Sequence, residues 1–273
     1  MLALKLFGNN PLPLAESIIA RVASDNLGLE VLLLTGKSER VPLSSIEWSD
    51  SPQLRKIRDK TLHLDHHRSQ GCQIFNKDTR QSVLLDISTM HSLGISQGVM
   101  HYHHAFPEEQ RTYPALTKNL VEVNRIAEEN DVTFFLENTT LLTEEKVGVS
   151  LYWAIFGIVA QRGLSNLGFC FDIGHAKALS DTKLVGWITL LDHLKASGIP
   201  LHFHLHNNDG TADEHLSFRL AELRGLNDGD AFTGGTSYLS VVAMLIQRYP
   251  GLKLLEVNAE EAIPSLDWIQ ARL

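Results

Sequence analysis

The segment Leu167–Ala176, LGFCFDIGHA, decides how the chain is read. Its first half is a short, almost wholly apolar run of the kind buried on both faces of a parallel sheet. The run stops at Asp172, and Gly174 then makes a turn into a helical pattern. Asp172 and His175 are therefore expected to stand together at the carboxyl end of a buried strand.

Working outward, seven more runs of the same kind appear, each followed by a stretch of helix length. The eight runs are Ala3–Phe7, Leu29–Leu34, Leu62–His66, Gly98–His103, Val132–Glu137, Gly168–Asp172, Leu201–His206 and Leu252–Val257. Apolar residues at helical spacing predict helices over Pro13–Asp25, Tyr113–Asn130, Ser150–Arg162, Lys183–Ser197, Thr236–Tyr249 and Glu260–Ala271. Weaker patterns lie at Gln53–Lys60 and Thr79–Leu93. Eight strand–helix units in 273 residues, with no linker or shift in composition, predict one α/β domain over 1–273, a single (β/α)8 TIM barrel. An open dinucleotide-binding sheet would need G-x-G-x-x-G after an early strand, and LFGNNPLPL has none.

Composition narrows the function. A net charge of −8 argues against nucleic acid as a partner, because phosphate binding relies on a basic face. Two cysteines make no disulfide framework, and there is neither a secretory leader pattern nor a membrane-length apolar run; the expected location is cytoplasmic. Oligomeric state is left open.

Histidine is abundant, with 13 residues, and its placement is regular. His66, His101, Glu137, Asp172 and His206 follow one another at 35, 36, 35 and 34 residues, one strand–helix unit each time. With Glu256 in the eighth run, six consecutive runs end in a potential metal ligand. In a TIM barrel those ends form the active-site face. Asp213 and His215, two residues apart, fall in the long 207–235 loop, a length that signals function. Carboxylates and imidazoles without thiolates suit zinc, manganese, cobalt or iron. His204, His202 and His63 read as hydrogen-bonded core residues. His103 shares a face with His101 and is placed as a substrate contact.

The motifs FLENTT at 135–140, CFDIGHA at 170–176, LHNND at 205–209, DEH at 213–215 and LLEVN at 254–258 resemble the xylose isomerase-like TIM barrels, or AP endonuclease family 2. That family includes sugar isomerases, epimerases and endonuclease IV. The resemblance implies one divalent metal held by Glu137, Asp172, His206 and Glu256. Glu137 and Glu256 would exchange a proton next to a sugar carbonyl, and His175 would contact substrate oxygens. The endonuclease IV pattern implies instead a phosphoester hydrolase with up to three zinc ions, adding His66, His101, His175, Asp213 and His215. The first strand here, LALKLFGNN, lacks that enzyme's histidine and its glycine- and serine-rich loop. The G-E-G element after the D-x-H motif is also missing. These departures favour a small carbohydrate substrate and an isomerase or epimerase.

Overall fold

A computed structural model of the chain describes residues 1–34, 39–102, 112–139, 148–179 and 183–273. Eight parallel strands close into a barrel: β1 (Leu2–Phe7), β2 (Gly28–Leu32), β3 (Lys60–His63), β4 (Gln97–His101), β5 (Thr133–Glu137), β6 (Leu167–Asp172), β7 (Leu201–Leu205) and β8 (Lys253–Leu255), paired in chain order with β8 returning to β1. The expected (β/α)8 fold is what forms. Ten helices are described: α1 (Leu12–Asp25), α2 (Pro52–Lys56), α3 (Lys77–Leu93), α4 (Tyr113–Glu129), α5 (Val149–Arg162), α6 (Ile173–Leu179), α7 (Leu184–Ala196), α8 (Phe218–Leu223), α9 (Tyr238–Arg248) and α10 (Ala259–Gln270). The helical pattern expected after Asp172 is α6, whereas α8 is too short to show a repeat. Among the described residues no helix is long and apolar enough to cross a membrane.

Strand alternation sorts the side chains into two populations. Leu201, Phe203 and Leu205 join the core between barrel and helices, while His202, His204 and the following His206 turn inward. The same division recurs on β6. There Phe169 and Phe171 face Trp187 of α7, with ring centroids 6.5 and 5.6 Å away, and Tyr152 of α5 lies 5.4 Å from the same indole. Burying each of these rings contributes roughly 1.5–3 kcal/mol, and together they anchor the strand that carries Asp172. Inside, the barrel bottom is apolar, with Ala3, Leu252 and Leu254 in one cluster and Val99, Phe135 and Cys170 in another. Above them the lining turns polar: Lys5, Glu30, His63, Glu137, Asp172, His204 and Glu256 are all buried.

Register fixes which residues stand level. Asp172 pairs with His204, Glu137 with Cys170, and His101 with Glu137. β3 ends at His63, which pairs with Val99, so His66 lies in the loop beyond the strand rather than at its tip.

Candidate metal centre

Four inward side chains from four successive strand ends meet at the barrel mouth. Glu137, Asp172, His204 and Glu256 each offer an atom within 4.8 Å of the others, and none is more than 3% exposed. His204 Nδ1 lies 2.9 Å from Glu256 Oε2, 3.2 Å from Glu137 Oε1 and 3.8 Å from Asp172 Oδ2. Asp172 is held through its main chain: Asn138 Nδ2 donates to its carbonyl and its own N–H donates to Asn138 Oδ1, both at 2.7 Å.

A second group lies above the first. His175 Nε2 and His215 Nε2 approach Asp213 Oδ2 at 3.1 and 2.9 Å, and His206 Nε2 lies 3.7 Å from Asp213 Oδ1. Asp172 joins the two groups, because His206 Nε2 also stands 3.1 Å from both of its carboxylate oxygens. His206 can take this place only because residue 174 is glycine: a Cβ there would meet the imidazole at 2.0 Å. His215 has φ +47°, a left-handed backbone unusual for a residue with a side chain, which turns its ring toward Asp213. The carrying loop is pinned by Lys177, whose Nζ reaches Asn207 Oδ1, the Asn208 carbonyl and Asp230 Oδ2 at 3.1, 2.6 and 3.1 Å.

The third group is His63, His101 and Glu137, with His63 Nε2 and His101 Nε2 at 3.3 and 3.2 Å from Glu137 Oε2. His66 is not among its close atoms; its ring stacks on that of His101 at 5.2 Å and meets that of His63 edge-on at 5.9 Å.

The register adds two rings that the sequence spacing does not single out, His204 and His63. Asp172 is level with His204, 32 positions on, whereas a 34-residue step lands on His206, one layer higher. His63 likewise stands against Glu137, with His66 stacked on His101 beyond it. Of the remaining expected residues, Glu137, Asp172 and Glu256 come together, His101 reaches Glu137, and His175, Asp213 and His215 form the upper group with His206. His103 lies outside the described residues. Glu30 and Lys5, absent from the sequence reading, are the deepest charged members of this lining.

The electrostatics are those of carboxylates packed among imidazoles. Burial opposes ionisation of Glu137 and Glu256, yet His204 and His101 beside the first, and His204 and Lys5 beside the second, hold both carboxyls well below their usual range. Burial also opposes the charge on His175, but Asp172, Asp213 and Glu137 raise it well above the ordinary imidazole value. His101 goes the other way: desolvation outweighs Glu137 and lowers it to about 4.

Whether these residues fit a divalent ion can be read from their lone pairs. Glu137 Oε2 and Glu256 Oε2 are buried and make no hydrogen bond of proper geometry among the described residues, although imidazole nitrogens stand at 2.9–3.3 Å. The Nδ1 atoms of His63 and His175 face the carbonyls of Leu64 and Asn138 at 3.0 and 2.9 Å. A carbonyl only accepts, so Nδ1–H donates in both rings, and a His63 ring with one proton turns a bare Nε2 to the site. Acceptors converging on acceptors are what a cation resolves. Cys170 is near His202 and His204, but burial pushes its thiol well up, leaving nitrogen and oxygen as the donors.

A family model described as xylose isomerase-like TIM barrel matches residues 64–272. No curated protein sequence matches the chain. Among solved structures, a D-tagatose 3-epimerase-like protein superposes with TM-score 0.65 and 17% identity, covering 99% of this chain and 96% of that one. The TTHB071 protein from Thermus thermophilus, soaked with zinc chloride, gives TM-score 0.61 and 22% identity over 99% and 96%. A D-allulose 3-epimerase from Methylomonas sp., in complex with D-allulose, gives 0.60 and 12% over 100% and 96%. With the barrel closed, the ligand-type residues gathered at its mouth and the model matching most of its length, the chain belongs to the xylose isomerase-like TIM barrel family.

Proposed function

We propose that the chain is a divalent-metal-dependent isomerase or epimerase of a small sugar or sugar phosphate. The observation that carries this reading is the pairing of Glu137 and Glu256, two buried carboxylates held ionised on either side of His204, each with one oxygen free of hydrogen bonds among the described residues. Glu137, Asp172, His204 and Glu256 would hold the ion. Bound there, a divalent cation lowers the barrier to removing a proton next to a carbonyl. The two glutamates do the proton work: one takes the proton from the carbon beside the carbonyl, and the other returns one to the opposite face or the neighbouring carbon. His175, charged and close to Glu137 (Nδ1 to Oε1 3.3 Å), can donate to a sugar hydroxyl. The epimerase neighbours support a carbohydrate substrate.

One observation favours a second reading. Glu137 belongs to two of the three donor groups and Asp172 reaches the third through His206, an arrangement that could hold three ions and serve a phosphoester hydrolase. The acidic net charge of −8 weighs against a polyanionic substrate. Two measurements separate the readings. Elemental analysis of the purified protein should return one ion per chain, and incubation with ketohexoses in D2O should place deuterium on the carbon next to the carbonyl. Three zinc ions per chain, with no exchange and with cleavage of a phosphodiester, would overturn the isomerase assignment.

A further inference from the structure

The outer wall of β2 and β3 lacks a long covering helix. Every other strand is followed by a helix of 11 residues or more. Among the described residues, the β2–β3 connection holds only two short 3-10 turns, Leu43–Ser45 and Glu47–Asp50, and the 5-residue α2. A cavity of about 420 Å³ is left between barrel and α3, walled by Leu33, Leu62, Val41, Leu43, Leu85 and Thr89. The Thr89 and Ser92 hydroxyls donate back to the carbonyls of Leu85 and Ser88, at 3.1 and 2.9 Å, so neither needs a partner in the cavity. Leu43, Ser44 and Ser92 are shared with a wider groove of about 920 Å³ that continues to Lys60, the first residue of β3. That groove is basic in a chain of net charge −8. Arg55, Lys56, Arg58 and Lys60 line it against one acid, Asp50, which lies 3.3 Å from Arg55. Lys60 is buried, and among the described residues its Nζ meets only the Leu54 carbonyl, at 3.3 Å.

We propose that cavity and groove together bind a phosphate monoester with an apolar tail, the phosphate at Lys60 and the tail along α3. An ammonium has three donors, and one carbonyl leaves the others unmet, so burial of Lys60 is costly until an anion stands beside it. Lys56 and Arg58, on flexible stems at the rim, add charge that suits a dianion. The direction of the ligand follows from the opposite end of the cavity. There Arg40 is already matched by Asp86 at 2.6 Å and Asp65 at 3.7 Å, whereas Lys60 has no carboxylate partner among the described residues. Between the two ends the walls are apolar, and the cavity's volume is that of a small-molecule site. The site lies on the outer side of β3, while His63 of that strand turns inward to Glu137. It is therefore separate from the metal centre, and neither reading depends on the other.

Hexyl phosphate is the probe, titrated by calorimetry into the full-length protein, with inorganic phosphate and hexanol as its two halves. The parent should bind hexyl phosphate at least about tenfold more tightly than either half. Lys60→Met removes the buried charge and should weaken hexyl phosphate about 10- to 100-fold while leaving hexanol unchanged. Thr89→Phe fills the cavity and should bring hexyl phosphate down to the affinity of inorganic phosphate. A hexyl phosphate bound no more tightly than inorganic phosphate would overturn the proposal, as would a parent protein that binds neither. Parental affinity in either folded variant would put the ligand elsewhere, at the metal centre for instance, and overturn it too. Should Lys60→Met not fold, Thr89→Phe and the comparison of the halves decide the matter.

Discussion

Asp86 on α3 ties the β3–α3 loop, which carries His66, to the barrel. It accepts hydrogen bonds from the Asp65 main-chain N–H at 3.1 Å and from Ser69 Oγ, and Arg40 Nη2 lies 2.6 Å from it. Desolvation nonetheless outweighs Arg40 and raises its carboxyl to about 6, from 3.8 in an exposed chain. The folded protein therefore holds the Asp86 proton more tightly than the unfolded one. The stabilisation from that proton is complete below the unfolded value and is lost as pH rises through about 6. Across the whole window the loss is about 3 kcal/mol, at about 1.4 kcal/mol for each tenfold difference in acidity. About half of it, roughly 1.4 kcal/mol, falls between about pH 5 and about pH 7.5. Asp86→Asn cannot titrate, so its unfolding free energy relative to the parent should rise by that amount over the same range. Urea unfolding followed by circular dichroism at the two pH values measures it, and the comparison cancels every other titrating group. Parallel curves for parent and variant would show that Asp86 has an ordinary acidity, and the desolvation argument would fail.

Gly174→Ala forces a Cβ against the His206 ring and should cost about 1–3 kcal/mol in thermal unfolding while pushing that imidazole off Asp172. Trp187→Ala opens the space between α7 and β6 and should cost about 3–5 kcal/mol by denaturant titration. Asp213→Ala separates the two functional readings. Turnover should fall less than about tenfold if one ion works at Glu137, Asp172, His204 and Glu256, and by more than about a hundredfold if the upper group holds an ion the reaction needs.

Much of this molecule is legible in one dimension. Apolar runs a unit apart require strands covered on their outer faces, and eight of them in 273 residues leave a closed barrel as the economical solution. Glu137, Asp172 and Glu256 could be placed at its mouth because a strand end is a local feature, marked by the change from apolar run to turn. Helix α8 escaped because six residues show no periodicity against their surroundings.

The ring that stands among the carboxylates could not be chosen this way. In LHFHLH, residues 201–206, alternation puts His202, His204 and His206 on one face, and nothing local says which is level with Asp172. That height is set by the stagger between β6 and β7, a long-range property of hydrogen bonding around the whole barrel, and it selects His204. Closure of the barrel also brings His63 to Glu137. It also sets Lys5 and Glu30 beneath His204 and Glu256, two charges that look out of place in their strands until the barrel closes around them. Sequence by itself determined the barrel and which strand ends carry buried carboxylates. Tertiary structure decided at what height each histidine meets them, because strand order is written in the chain while relative height is settled only by closure.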